Sequence, residues 1–329
     1  MALLLNRNDV RNLLDMPDAI AAVEKAFREL AAGQVDMPQR AAVHVPAHRG
    51  LHLSMPAWVG GGVSGLGVKI VTVYPDNPSK HHLPTVLAIV LLNDPETGNP
   101  VALMDAGYMT AVRTGAVSGV ATKYMARADA QTVGVFGAGV QAETQLEAMC
   151  AVRKIRSATV YDVDAGRAKD YASRMSARCS IDVVAAQNAR DAVEGQDIVV
   201  TASTAREPVF DGRWLAAGQH INAVGAHTPS TRELDTATVV RSRVVADLPE
   251  ACLVEAGELI IPISEGAIGK DHIRGGLGDV VSGAIPGRQA DADITLFKSV
   301  GLALQDVAVA RLVYDRARGN GAGKEFSFS

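Results

Sequence analysis

The sequence predicts an α/β chain in which a doubly wound parallel sheet is inserted into a second unit of α+β character. Three observations carry that reading. From Thr132 onward, short apolar segments rich in β-branched residues alternate with helical stretches, the pattern of a parallel sheet with crossover helices. One strand-to-helix junction carries a glycine fingerprint, Gly137-Ala-Gly-Val-Gln-Ala142. Before residue 128 the alternation is missing, and extended segments follow one another instead. The expected division is residues 1–127 plus 294–329 for the outer unit and 128–293 for the inserted one.

In order along the chain, residues 16–32 read as an amphipathic helix. Extended segments follow at 41–45, 51–55, 67–73, 85–92 and 100–104, with a hairpin-like turn at Asp94-Pro-Glu-Thr-Gly98, and together they predict a mixed sheet. The inserted unit has strand candidates at 132–136, 158–162, 181–185, 197–202, 220–224 and 243–247, enough for a complete dinucleotide-binding (Rossmann) domain. A further strand at 294–298 opens a segment expected to return to the outer unit. It leads into a long helix with Leu302, Val307, Val309, Leu312 and Val313 at helical spacing. The glycine-rich tail 319–323 reads as mobile, and no internal repeat is visible.

The fingerprint can be read residue by residue. Gly137 allows a tight turn, Gly139 lets the backbone approach a pyrophosphate, and Ala142 keeps the following helix close to the sheet. Ala138, Val140 and Gln141 complete the phosphate loop. Asp162 falls 25 residues after Gly137, at the end of the second strand, where a carboxylate accepts the ribose hydroxyls. A carboxylate there repels a 2′-phosphate, so NAD is expected over NADP. Arg167, five residues on, either softens that preference or lies on the exposed face of the next helix. The mid-chain position of the motif argues against FAD.

Bulk properties narrow the class. The chain has 329 residues, 48% of them hydrophobic, and a net charge of −4, which suits two domains and gives no basic surface for nucleic acid or anionic membrane. No apolar run approaches membrane-spanning length, and the opening Met-Ala-Leu-Leu-Leu-Asn-Arg-Asn does not read as a signal peptide. Cys150, Cys179 and Cys252 are scattered, without metal-ligand or redox spacing, and read as buried reduced thiols. The histidines show no ligand spacing either, so no metal is expected. A soluble cytoplasmic enzyme fits these features.

Three cations have neighbours that do not look like a surface. Arg40 opens an extended segment. Lys69 lies in the apolar run Leu66-Gly-Val-Lys-Ile-Val-Thr-Val73, and Arg113 lies among small residues at a helix start. A cation in such a place costs several kcal/mol unless it is paired. Each therefore needs an anion, either an internal carboxylate such as Asp105 or Asp76 or one brought by a ligand. Two guanidinium groups and an ammonium suit an α-carboxylate.

Several of these segments together resemble the ornithine cyclodeaminase/mu-crystallin family. They are Pro38-Gln-Arg40, Leu53-Ser-Met-Pro56, Gly67-Val-Lys69, the stretch 103–115 that contains Arg113, the glycine fingerprint, His220-Ile-Asn-Ala-Val-Gly225 and the stretch 297–308. The resemblance runs from about residue 10 to 316. It implies a homodimer of two-domain subunits and NAD(P)-dependent chemistry at the α-carbon of a small amino or imino acid. By the same resemblance, Arg40, Lys69 and Arg113 match positions that hold the substrate carboxylate. Thr114, Ser203, Asn222, Ala223, Val224, Gly225 and Ser299 match positions that line the cofactor.

The departures are informative. Where the cyclodeaminases carry a catalytic aspartate after Asn-Ala-Val-Gly, this chain has His227, and where they carry a glutamate for the distal amine it has Leu53. Alanine dehydrogenases of the family share the aspartate and have Lys where Arg40 stands. The mu-crystallin-type ketimine reductases lack the aspartate but commonly use NADPH. The reading that results is an NAD(H)-dependent imine reductase acting on pyrroline-2-carboxylate or piperideine-2-carboxylate. Lys69 or His227 is the expected proton donor. Ornithine cyclodeamination, alanine dehydrogenation and non-catalytic ligand binding are the alternatives.

Overall fold

The computed structural model describes residues 1–327 and separates into two compact units, Met1–Arg113 with Leu302 onward, and Thr114–Gly301. Both boundaries differ from the sequence expectation. The first falls inside the helix Gly107–Met125, which runs on past it, and the second falls at Gly301, whose φ of +81° turns the chain out of the second unit.

The first unit holds a mixed sheet. Its order is Lys324–Phe326, Ala2–Leu5, Pro100–Asp105, Val86–Asn93, Gly65–Val73 and Gly50–Val59, with Ala41–Val45 and Val35–Asp36 both pairing along the outer edge of the last. Ala2–Leu5 and Pro100–Asp105 run parallel and the other pairs antiparallel. Strand alternation sends Leu53, Met55, Val71, Val90, Leu92 and Met104 to one face, where they are buried. The helix Ala303–Asn320 packs on that face, and Met16–Ala31 packs against the helix. Lys69 pairs with Met55 and Val90 in the register and so belongs to the covered face. The other face exposes Val43, Trp58, Leu87 and Ile89. The turn at 94–98 closes as expected: Asp94 accepts from the N–H groups of Glu96 and Thr97, and Gly98 takes φ +74°.

The tail corrects the expectation of mobility. The last helix reaches Asn320, Gly321 caps it with φ +63°, and Lys324–Phe326 then pairs antiparallel with Ala2–Leu5. The glycines reverse the chain so that the tail covers an otherwise open sheet edge.

The second unit is an eight-stranded, wholly parallel sheet. Its order is Asp182–Ala185, Ser157–Tyr161, Thr132–Phe136, Ile198–Thr201, His220–Ala223, Thr295–Lys298, Arg243–Ala246 and Ile273–Gly276. The central strands are almost wholly buried, with His220, Asn222, Thr295 and Lys298 as polar members among apolar ones. Two strands differ from the expectation. Thr295–Lys298 does not return to the first unit; it inserts between His220–Ala223 and Arg243–Ala246, completely buried. Ile273–Gly276 is not among the strand candidates, since Ile-Arg-Gly-Gly has neither alternation nor an apolar run.

Candidate active site

In the second unit, the residues expected to meet a dinucleotide gather at the carboxyl ends of the central strands. The strand order reverses there, which is where open parallel sheets bind ligands. Gly137 has φ +97°, and a Cβ on it would stand 2.7 Å from the carbonyl oxygen of Ala202, so only glycine fits. Gly139 caps the helix Val140–Val152; its Cβ position is open, with only the Arg167 guanidinium near it at 3.9 Å. Arg167 is thus exposed in the first turn of its helix, as one expectation held, yet its tip reaches the glycine loop. Asp162 accepts from the N–H of Ala138 at 2.9 Å and of Asp164 at 3.0 Å, which fixes its carboxylate beside the loop. The side-chain oxygen of Gln141 is buried without a hydrogen-bond partner among the described residues. An open cradle at Gly139, an oriented carboxylate and an orphaned polar atom fit a dinucleotide.

A buried carboxylate that the sequence did not flag organises the other side of this cluster. Glu233 accepts from the N–H and hydroxyl of Ser203 at 2.7 and 2.6 Å through one oxygen, and from the N–H of Gly225 at 2.8 Å through the other. Burial raises its pKa, with the Ser203 bonds and Lys298 pulling the other way. Behind it, Glu258 accepts from the Glu233 N–H and stands 3.1 Å from Lys298 Nζ, which donates to the Ala226 carbonyl. Asp247, likewise unflagged, accepts from the Ser299 hydroxyl at 2.7 Å and from the N–H groups of Val300 and Gly301 at 2.9 Å.

Other expected cofactor positions stand differently. The side chain of Asn222 is committed to the core, donating to Thr122 and facing His220, so no more than its backbone is available. Ala223 is buried, and its carbonyl accepts from the N–H of Ser299; Val224 extends the strand by donating to Thr201. The Thr114 carbonyl accepts from Gln145. His227 is exposed on the loop after this strand, with Nδ1 3.2 Å from the Gly225 carbonyl. Cys252 is buried, but Cys150 and Cys179 are only half-buried, a correction to the reading of all three. No group of three or more potential ligand side chains positioned for a metal occurs among the described residues.

The first unit brings the three cations into one field. Lys69 is 1% exposed, and its Nζ lies 2.7 Å from Asp306 Oδ2; Arg113 Nε lies 3.1 Å from Asp306 Oδ1. Arg113 also donates to Gln305 Oε1 at 2.7 Å, and the Gln305 amide nitrogen is buried with no acceptor among the described residues. Burial, then the charge of Arg113, lowers Lys69 from 10.5 to about 8 against the opposing pull of Asp306; Arg40 adds to the lowering. The internal anion is therefore Asp306. It is neither Asp105, which accepts from the Gly107 N–H, nor Asp76, which pairs with Arg49 and Lys80 at the surface. The available signal was a polar Gln-Asp pair set among Leu304, Val307 and Ala308 on an otherwise apolar helix face.

One carboxylate shared by Lys69 and Arg113 leaves a positive charge in surplus on this pair, the electrostatics of a site for an anion. The family model for ornithine cyclodeaminase/mu-crystallin matches residues 1–321. The chain belongs to the ornithine cyclodeaminase/mu-crystallin family. Among solved members, the chain superposes on Δ1-pyrroline-2-carboxylate reductase of Thermococcus litoralis in complex with NADH and L-proline with a TM-score of 0.95. The two are 47% identical, over 98% of this chain and 100% of that one. An archaeal alanine dehydrogenase dimer with bound NAD gives a TM-score of 0.94 at 39% identity, over 100% and 99% of the two chains. A Δ1-pyrroline-2-carboxylate reductase of Bacillus thuringiensis is 38% identical over 99% of this chain and 100% of its own length. In this family frame, the chain is an NAD-dependent oxidoreductase.

Proposed function

We propose that this chain is an NADH-dependent reductase of a small cyclic α-imino acid, with Δ1-pyrroline-2-carboxylate as substrate and L-proline as product. The observation that carries the reading is the pair of buried cations Lys69 and Arg113, which share the single carboxylate of Asp306 and so carry a surplus of positive charge. That surplus suits one α-carboxylate. The unit 114–301 is read as nucleotide-binding and the other as substrate-binding and dimerising. The similarity to reductases, one of them holding NADH and L-proline, supports the choice of imine.

Bound NADH supplies a hydride to the C=N carbon. Arg113 and Arg40 pair with the carboxylate and fix which face of the ring is presented, chiefly an orientation effect. The imine nitrogen must take up one proton for each hydride, so that imine, NADH and a proton give amine and NAD. Lys69, lowered to about 8, is poised to give that proton near neutrality. His227 is the other candidate. Leu53 is buried on the same sheet face as Lys69, so the place where a cyclodeaminase holds the distal amine is apolar. This favours reduction over ornithine cyclodeamination.

The exposed apolar face around Val43, Trp58, Leu87 and Ile89 is read as the homodimer surface, in keeping with the dimeric alanine dehydrogenase relative. No helix among the described residues is long and apolar enough to cross a membrane. The test is nicotinamide absorbance with NADH and pyrroline-2-carboxylate, run beside L-alanine with NAD and ornithine with trace NAD assayed for ammonia. NADH oxidation in the first alone supports the reductase. Turnover only of alanine, or ammonia from ornithine, replaces it with the corresponding relative's activity.

A further inference from the structure

Asp306 is 1% exposed and touches two cations at once, Lys69 Nζ at 2.7 Å and Arg113 Nε at 3.1 Å, one through each oxygen. Neither oxygen makes any other hydrogen bond among the described residues. Among the described residues, the carboxylate's polar contacts are therefore these two side chains alone. The next residue back, Gln305, accepts from Arg113 Nη1 at 2.7 Å, so one helical turn grips the guanidinium at two points. The three partners come from different elements: Lys69 from the strand Gly65–Val73, Arg113 from the helix Gly107–Met125, and Asp306 from the helix that covers the sheet.

We infer that Asp306 is the positioning residue of the carboxylate site, a bridge that sets the spacing of Lys69 and Arg113 and leaves their remaining donors for the ligand. Without the bridge, two buried cations would repel each other, and the long lysine chain would have no single place to rest. The inference rests on the reading of this cluster as the substrate carboxylate site. The charged groups that face Lys69 are Arg113 and Asp306 from the two helices and Arg40 from the segment before the strand Ala41–Val45. Of these only Asp306 favours the protonated lysine. Its removal therefore lowers proton affinity further, a change that a merely structural role would not produce.

The test is Asp306→Asn, which keeps the shape and removes the charge, with thermal unfolding and NADH affinity as controls for folding. Two readouts follow: the pH profile of kcat/KM for imine reduction, and the Kd of a flat aromatic carboxylate analogue that cannot be reduced. We expect kcat/KM to fall at least about tenfold, the analogue to bind about tenfold more weakly, and the alkaline limb to move from about 8 toward neutrality. Asp306→Glu, which restores the charge, should return the limb toward its original place. Tighter binding of the analogue by Asp306→Asn would mean that Asp306 competes with the ligand, and would overturn the inference. So would an unmoved limb with unchanged binding. A wild-type enzyme with no alkaline limb would instead sink Lys69 as proton donor. The analogue's Kd would still decide the positioning role: weaker binding supports it, and equal or tighter binding ends it.

Discussion

Lys69 has lost its water and faces Arg113 at close range, so the folded protein holds its proton less firmly than the open chain does. If this lysine protonates the imine, kcat/KM should be level below about pH 8 and fall above it, and Lys69→Met should lower kcat and abolish that limb. The stability sign is opposite. Between about 8 and 10.5 the unfolded chain binds more protons at this site than the folded one, so the group's cost to folding shrinks as pH rises. A parallel series of activity and urea unfolding against pH separates the two. Arg113→Met removes a charge-assisted bond worth roughly 1.5–3 kcal/mol, so kcat/KM should drop roughly ten- to several-hundredfold with NADH affinity little changed. Normal turnover of imino acids by both variants would put the active site elsewhere. On the cofactor side, NADH should be preferred, and Asp162→Ser should narrow the gap to NADPH by removing a charge that the glycine loop holds in place. A wild-type preference for NADPH of about tenfold, ~1.4 kcal/mol, would refute that assignment. Lys69 was legible in the sequence because a lysine inside an alternating apolar strand breaks its own pattern. Asp306 was not, since an acid in the first turn of a helix is ordinary there. Its contacts with Lys69 and Arg113 exist only after the chain has folded back on itself.

The nucleotide loops show the same limit one level up. The glycine fingerprint was readable because its chemistry is local, a turn and a helix start within six residues. Glu233 ties together two loops that follow different strands, through Ser203 and Gly225, and nothing in its own neighbourhood announces this. Glu233→Gln keeps the shape but turns a donor toward one of those N–H groups. NADH affinity, read by fluorescence titration, should weaken about tenfold, with the melting temperature lowered by several degrees. Equal affinity would show that the loops hold their places without the clasp. Strand positions were legible wherever an apolar run is buried on both faces, as at Thr132–Phe136 and Ile198–Thr201. Thr295–Lys298 was visible as a strand, but its sheet was not, because sheet order is a property of distant partners rather than of the segment.

For the whole molecule, composition gave no electrostatic reason to expect a nucleic-acid surface and could not show where apolar side chains would be left outside. The structure places Val43, Trp58, Leu87 and Ile89 on one open face of the first sheet, with Ile89 at 43% exposure. A stable homodimer is expected to cover that face. Sedimentation at micromolar concentration should give a dimer, and Ile89→Lys should shift it toward monomer; a wild-type monomer would contradict the assignment.

Strand order also dictates a timetable. Arg243–Ala246 and Ile273–Gly276 join the second sheet only through Thr295–Lys298, and the first sheet is covered by the helix that begins at Ala303. On the ribosome, therefore, neither core can close until the residues from Thr295 onward have emerged. Until then the nascent chain carries an unpaired parallel edge at His220–Ala223 and a bare apolar sheet face, both sticky surfaces. Slow translation of residues 295–320 should cost soluble yield more than the same delay placed earlier.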